Sequence, residues 1–89
     1  MSSQRIKMMK KSLEALNPKK IEIEDEGHLH VGHAGAKSGG HFKLVIISNE
    51  FKDKTIIDRH KLIYKTLEFL MKTEIHALSI KALTEDEAR

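Results

Sequence analysis

The run Phe42-Lys43-Leu44-Val45-Ile46-Ile47-Ser48 constrains this chain more than any other stretch. Its β-branched and aliphatic residues, interrupted only by Lys43, suit a central strand covered on at least one face. A chain of 89 residues has room for one modest core and not for two, so the remaining segments must supply the neighbours and the cover of that strand. Upstream, Ile6, Met9, Leu13 and Leu16 recur at spacings of three and four behind a Ser2 or Ser3 cap, predicting a helix that Asn17-Pro18 ends. Ile21 and Ile23 then alternate with Glu22 and Glu24, as in a strand with one wet face.

Downstream, a polar turn over residues 49–54 holds one apolar anchor, Phe51. A long helix is predicted from about Thr55, its stripe made of Ile56, Ile57, His60, Ile63, Tyr64, Leu67, Leu70 and Met71, with Lys54, Asp58, Lys61, Lys65, Glu68 and Lys72 on the solvated side. Lys72-Thr73-Glu74 closes it, and residues 75–82 alternate as a third strand in which His76 shares the face of Leu78 and Ile80. Residues 84–89 read as a helical stub or a frayed tail.

The order helix, strand, strand, helix, strand describes a small two-layer α+β domain, with both helices on one face of a three-stranded sheet. The first two strands are most simply antiparallel, whereas the third returns after a helical crossover and pairs in parallel. The whole chain, 1–89, reads as a single domain with its core over about 5–83.

Composition narrows the compartment and the chemistry. Aromatic residues are only 4% of the chain and charged residues 33%, which suits a soluble protein with an aliphatic core. No run of about 18 apolar residues and no signal peptide is present, so the expected location is cytoplasmic, away from any membrane. Cysteine is absent, which excludes disulfides and any all-protein thiolate site within this chain. Residues 1–20 carry Arg5, Lys7, Lys10, Lys11, Lys19 and Lys20 against Glu14 alone; such a charge run attracts acidic partners but is more simply a solvated face.

The segment from Gly27 to His41 holds all five glycines and four of the six histidines. It has no apolar run able to make a core element, and reads as a functional loop joining two strands. Glycine permits close backbone approach, and neutral imidazole is a common metal ligand. His28, His30, His33 and His41 lack the regular spacing of a closed tetrahedral site, so a metal held here needs another donor. His76, at the start of the third strand, is that donor if the sheet brings the strand end beside the loop. The plainer alternative is a set of solvated histidines with His76 partly buried. His60, inside the helix stripe, reads as a hydrogen-bonded core-edge residue.

Catalysis has little support: no serine stands in a nucleophile elbow, no cysteine is available, and Gly39-Gly40 leads into a strand where a phosphate loop needs a helix. The expectation is a protein that is not an enzyme. Lys54, Arg59 and Lys61 near the start of the long helix suit phosphate and offer a nucleic-acid surface, against which stand Asp53, Asp58 and the sparse aromatics.

Asp25-Glu26-Gly27-His28, the strand His41-Phe42-Lys43-Leu44-Val45-Ile46-Ile47-Ser48, Phe51, the helix segment Arg59-His60-Lys61-Leu62-Ile63-Tyr64 and Ile75-His76-Ala77-Leu78 follow one another over about residues 5–83 as in the BolA family, which the chain resembles. The resemblance implies a fold similar to class II KH domains. It also implies partnership with a monothiol glutaredoxin, the two proteins and glutathione sharing a [2Fe–2S] cluster, and a role as an adaptor in iron–sulfur cluster trafficking or iron regulation. The family's invariant histidine ligand carries over onto His76. Its second ligand comes from the loop after the first strand, where this chain resembles the histidine type, with His30 favoured, His33 the alternative and His28 behind both. No cofactor is expected in the isolated chain, whose free form is expected to be a monomer or weak dimer. Family members have also been associated with transcription regulation, hence the second expectation of a KH-like DNA-binding regulator. Where they commonly carry glycine in the turn after the phenylalanine, this chain has Asp53.

Overall fold

The computed structural model describes residues 2–26 and 40–89. Helix α1 (Ser2–Leu13) runs into a single 3₁₀ turn, Glu14–Leu16, and strand β1 (Lys20–Asp25) follows. Strand β2 (Gly40–Ile47), a second 3₁₀ turn (Asn49–Phe51), helices α2 (Ile56–Thr66) and α3 (Glu68–Thr73), and strand β3 (Ile75–Leu83) complete the order. The three strands form one sheet in the order β1-β2-β3, with β2 antiparallel to β1 and parallel to β3. The run that opened the sequence reading is therefore the central strand, and the pairings follow the expected directions.

The helices cover one face of that sheet. Met9, Leu13 and Leu16 from α1 and its extension, Phe42, Leu44 and Ile46 from β2, and Ile63, Leu67 and Leu70 from the α2–α3 region lie in one buried cluster. Phe51, the anchor of the turn after β2, is fully buried in it. Removing such side chains from water stabilises the fold by roughly 1.5–3 kcal/mol each. Along β2 the even positions are buried while His41, Lys43, Val45 and Ile47 are more exposed, the alternation of a strand with one wet face.

Two chain turns rest on polar contacts. Asn17 takes a left-handed conformation (φ 48°), and its N–H donates to the Glu14 carbonyl at 3.0 Å, which stops the first helix before Pro18. At the other end of β2, the buried Ser48 hydroxyl donates to the Leu16 carbonyl at 2.5 Å and accepts from the Glu50 N–H at 3.1 Å. That one side chain joins the end of the α1 segment to the end of the central strand.

The long downstream helix differs from expectation in two ways. It is divided at Leu67 (φ −97°, ψ 10°) into α2 and α3. Its buried stripe is also rotated: Arg59, Ile63, Leu67 and Leu70 face the core, while Ile56 is 69% exposed, Ile57 66% and Tyr64 40%. At about 100° per residue Ile56, His60 and Tyr64 stand above one another on the flank of α2, beside the core stripe and not within it. The predicted charged side, from Lys54 to Lys72, is exposed throughout. Residues 84–89 form no helix; a turn there is tied back to the body by hydrogen bonds of Glu85 and Glu87.

Asp53 also occupies a left-handed position (φ 63°), which explains the usefulness of glycine in this turn. Replacing Asp53 with glycine is expected to raise stability by on the order of 0.5–1 kcal/mol, read as a higher denaturation midpoint at unchanged slope; a lower midpoint would show that the aspartate side chain itself holds the turn.

Candidate functional site

At the end of the sheet where β2 and β3 both begin, two histidines meet. The His41 and His76 rings have centroids 5.0 Å apart and planes inclined by 40°. Strict alternation from Leu78 back along β3 places His76 on the core face, as the sequence suggested. The register prevents this: Gly40 pairs with Ile75 but His41 pairs with Ala77, so β3 carries one extra residue opposite the Gly40–His41 step. That irregularity restores Ile75 to the core at 3% exposure and turns His76 outward, exposed, beside the half-buried His41 of the wet face.

Several contacts hold the irregularity in place. The Gly40 N–H donates to the Glu74 carbonyl at 3.1 Å, and the Glu74 N–H donates to Leu70 at the end of α3 at 2.7 Å. The Glu74 carboxylate accepts from Arg5 Nε of α1 at 3.1 Å, both side chains about one-third exposed. Gly40 has no room for a side chain, because a Cβ there would overlap the buried ring of Phe42. On the other side the Glu26 N–H donates to the His41 carbonyl at 2.7 Å, so the chain leaves β1 and re-enters β2 at the same end of the sheet as His76.

His28, His30 and His33 fall in residues 27–39, outside the described residues. The structure thus brings His76 beside His41, the one loop histidine that lies on a described strand and that the spacing argument did not separate from the others. Its signal was parity, since His41 precedes the core residue Phe42 and must face water. Among the described residues no group of three or more histidine, aspartate or glutamate side chains converges as a metal cage.

Two imidazoles at this separation nevertheless suit a shared metal atom. With metal–nitrogen bonds of about 2.0–2.1 Å, a bound ring centroid lies about 3.2 Å from the metal, and two such rings at a tetrahedral angle are about 5.2 Å apart. The observed spacing is close to that value. The pair amounts to half a site, an exposed His76 beside a half-buried His41, and with no cysteine in the chain any thiolate ligand comes from elsewhere.

The expected nucleic-acid residues separate. Lys54 and Lys61 are exposed, but Arg59 is 7% exposed and turned inward, which removes it from a phosphate-facing role. Its Nε donates to the Lys54 carbonyl at 3.0 Å, one Nη to the Ala82 carbonyl at 3.0 Å, and both Nη to the Glu87 carboxylate. A guanidinium at a core-facing helix position needs such partners because burial of an unpaired charge is costly. The helix-start charge pattern alone did not show that a carboxylate 28 residues downstream would fill this role.

Arg59 holds the Glu87 carboxyl well below its ordinary range, at about 2, with the Thr84 N–H adding to the effect. A lowered folded-state value means that the latch stabilises the fold above the ordinary carboxylate range and that this contribution is lost as pH falls toward 2. The expected outcome is a wild-type denaturation midpoint that declines between about pH 4.5 and 2 more steeply than that of Glu87→Gln, with the Glu87 carboxyl titrating near 2 in a carbon-detected NMR titration. An ordinary titration of Glu87 would dissolve the latch.

Residues 13–87 match the family model described as BolA-like protein. The chain is 36% identical over 93 residues to SufE-like protein 1, chloroplastic/mitochondrial, of Arabidopsis thaliana, an alignment covering 98% of this chain and 25% of that protein. It is 37% identical over 73 residues to the DNA-binding transcriptional regulator BolA of Escherichia coli, covering 82% of this chain and 68% of the regulator. Among solved structures, the BolA domain of SufE1 from Arabidopsis thaliana superposes with a TM-score of 0.81 at 40% identity, over 93% of this chain and 94% of that one. The chain therefore spans a quarter of a longer relative and nearly all of that relative's isolated domain.

Proposed function

Because the chain belongs to the BolA family, we propose that it is a non-enzymatic adaptor that carries a [2Fe–2S] cluster as shared cargo with a monothiol glutaredoxin, in iron–sulfur cluster trafficking or iron regulation. The observation that carries this reading is the His41–His76 pair, whose ring centroids lie 5.0 Å apart at one end of the sheet, with His76 exposed and His41 half-buried. Imidazole and thiolate ligands divide naturally between the two irons of such a cluster, as in centres where two histidines serve one iron and two sulfurs the other. The chain supplies imidazole nitrogen and no cysteine thiolate, so glutaredoxin and glutathione supply the thiolates.

His76 is the fixed member of the half-site, and His41 is the partner held beside it. His30, with His33 as its alternative, remains the competing second donor from residues 27–39. Mixing the chain anaerobically with a glutathione-loaded monothiol glutaredoxin cluster dimer should change the visible absorption and circular dichroism. His76→Ala should abolish most of that change. His41→Ala and His30→Ala then identify the second donor by which of them reproduces the loss, and a wild-type spectrum from His76→Ala ends the assignment.

A second reading, DNA binding, is favoured by the name of the Escherichia coli relative and by exposed Lys54 and Lys61. With Arg59 facing inward it rests on lysine–phosphate contacts that salt weakens. Double charge reversal at Lys54 and Lys61 should reduce duplex binding severalfold at low salt and flatten its salt dependence. Absence of binding by the wild-type chain at low salt would remove this reading.

A further inference from the structure

The far edge of β3 and the flank of α2 form a second surface, distinct from the histidine pair and centred about 13 Å further along the strand. A groove of about 600 Å³ lies there, lined among others by Lys54, Ile56, His60, Ile80 and Lys81. Its wall is the apolar flank displaced from the core, where Ile56 is about two-thirds exposed. Its floor is the edge of a sheet.

Along that edge some backbone groups take side-chain partners among the described residues. The Leu83 carbonyl accepts from Ser48 of the β2 side, whereas the Leu78 carbonyl accepts from the Tyr64 hydroxyl at 3.5 Å and the Ala82 carbonyl from Arg59. Residues 78 and 82 thus direct their polar groups away from β2, toward α2. Ile80, midway between them, presents its N–H and carbonyl on the same edge, where no strand is paired among the described residues. Tyr64 and Arg59 cap the two ends of this window, and among the described residues no strand covers its middle.

The charges select what fits. Lys54 and Lys81 are exposed and enter no ion pair among the described residues, while the one carboxylate lining the groove, Glu87, is bound by Arg59. A strand laid along the window continues the alternation of the sheet: one set of its side chains meets Ile80 and Ile56 on the helix side, the other set lies beside Lys81 on the wet side. We infer that the β3 edge and the α2 flank bind an extended peptide segment of a partner protein in which apolar and acidic residues alternate, by addition of a strand to the sheet.

Single-stranded nucleic acid is less well matched, because the surface offers one aromatic ring, Tyr64, and its arginine is held by Glu87. Titration of the isotope-labelled full chain with an acetylated eight-residue peptide alternating isoleucine and glutamate tests the assignment. Saturable NMR shifts are expected at residues 54–60 and 78–83, with slowed exchange of the Ile80 amide, and Lys81→Glu should weaken binding by about tenfold or more without changing the shifts of the core. A matched peptide alternating isoleucine and lysine should bind far more weakly. No shift at millimolar peptide, equal binding of the lysine peptide, or binding of decathymidylate at these amides in place of the acidic peptide would each overturn the inference. His76→Ala should leave this titration unchanged, so its outcome is independent of the half-site.

Discussion

The burial of Phe42, Leu44 and Ile46 on the central strand is the constraint from which the other features follow. All three are at or below 1% exposure, and they share a cluster with side chains from both helical segments. A strand buried this completely fixes its register, since a slip by one residue would send the whole set to water. With β2 fixed, His41 must face outward, β1 must run antiparallel beside it, and β3 must close the other side. Any larger residue at position 40 would then have to displace the Phe42 ring, which occupies the space a Cβ would need.

Much of this was legible in the chain itself. The period-3.6 and period-2 segments placed α1, the α2–α3 region and three strands in the right order, and the long connection before the last strand indicated parallel return. The break at Leu67 and the outward turn of His76 were not legible. Both depend on how a segment meets its neighbours, and neither Leu67 nor His76 carries a local turn signal such as glycine or proline. The face of His76 in particular is decided by one extra residue opposite Gly40 and His41, a property of two strands that no single strand's alternation can display.

Arg59 shows a different limit. Its charge suggested an outward role, and its place on the helix wheel, four residues before Ile63, is a core-facing one. The conflict is resolved by Glu87 and two backbone carbonyls, which give the guanidinium polar partners inside the fold. In consequence the terminal turn is part of the body, and the apolar side chains that a wholly hydrophobic stripe would have buried, Ile56 and Ile57, stay on the surface.

The parallel pairing of β2 with β3 has a further consequence for when the histidine pair exists. His41 and His76 are separated by two helices along the chain and meet only through that pairing. Contacts of such long sequence separation form late, because the intervening segment must be ordered before they are rewarded. An incompletely folded or prematurely ended chain therefore presents single imidazoles and no pair. The proposed two-imidazole half-site is in this way conditional on a finished fold, and an immature molecule lacks it.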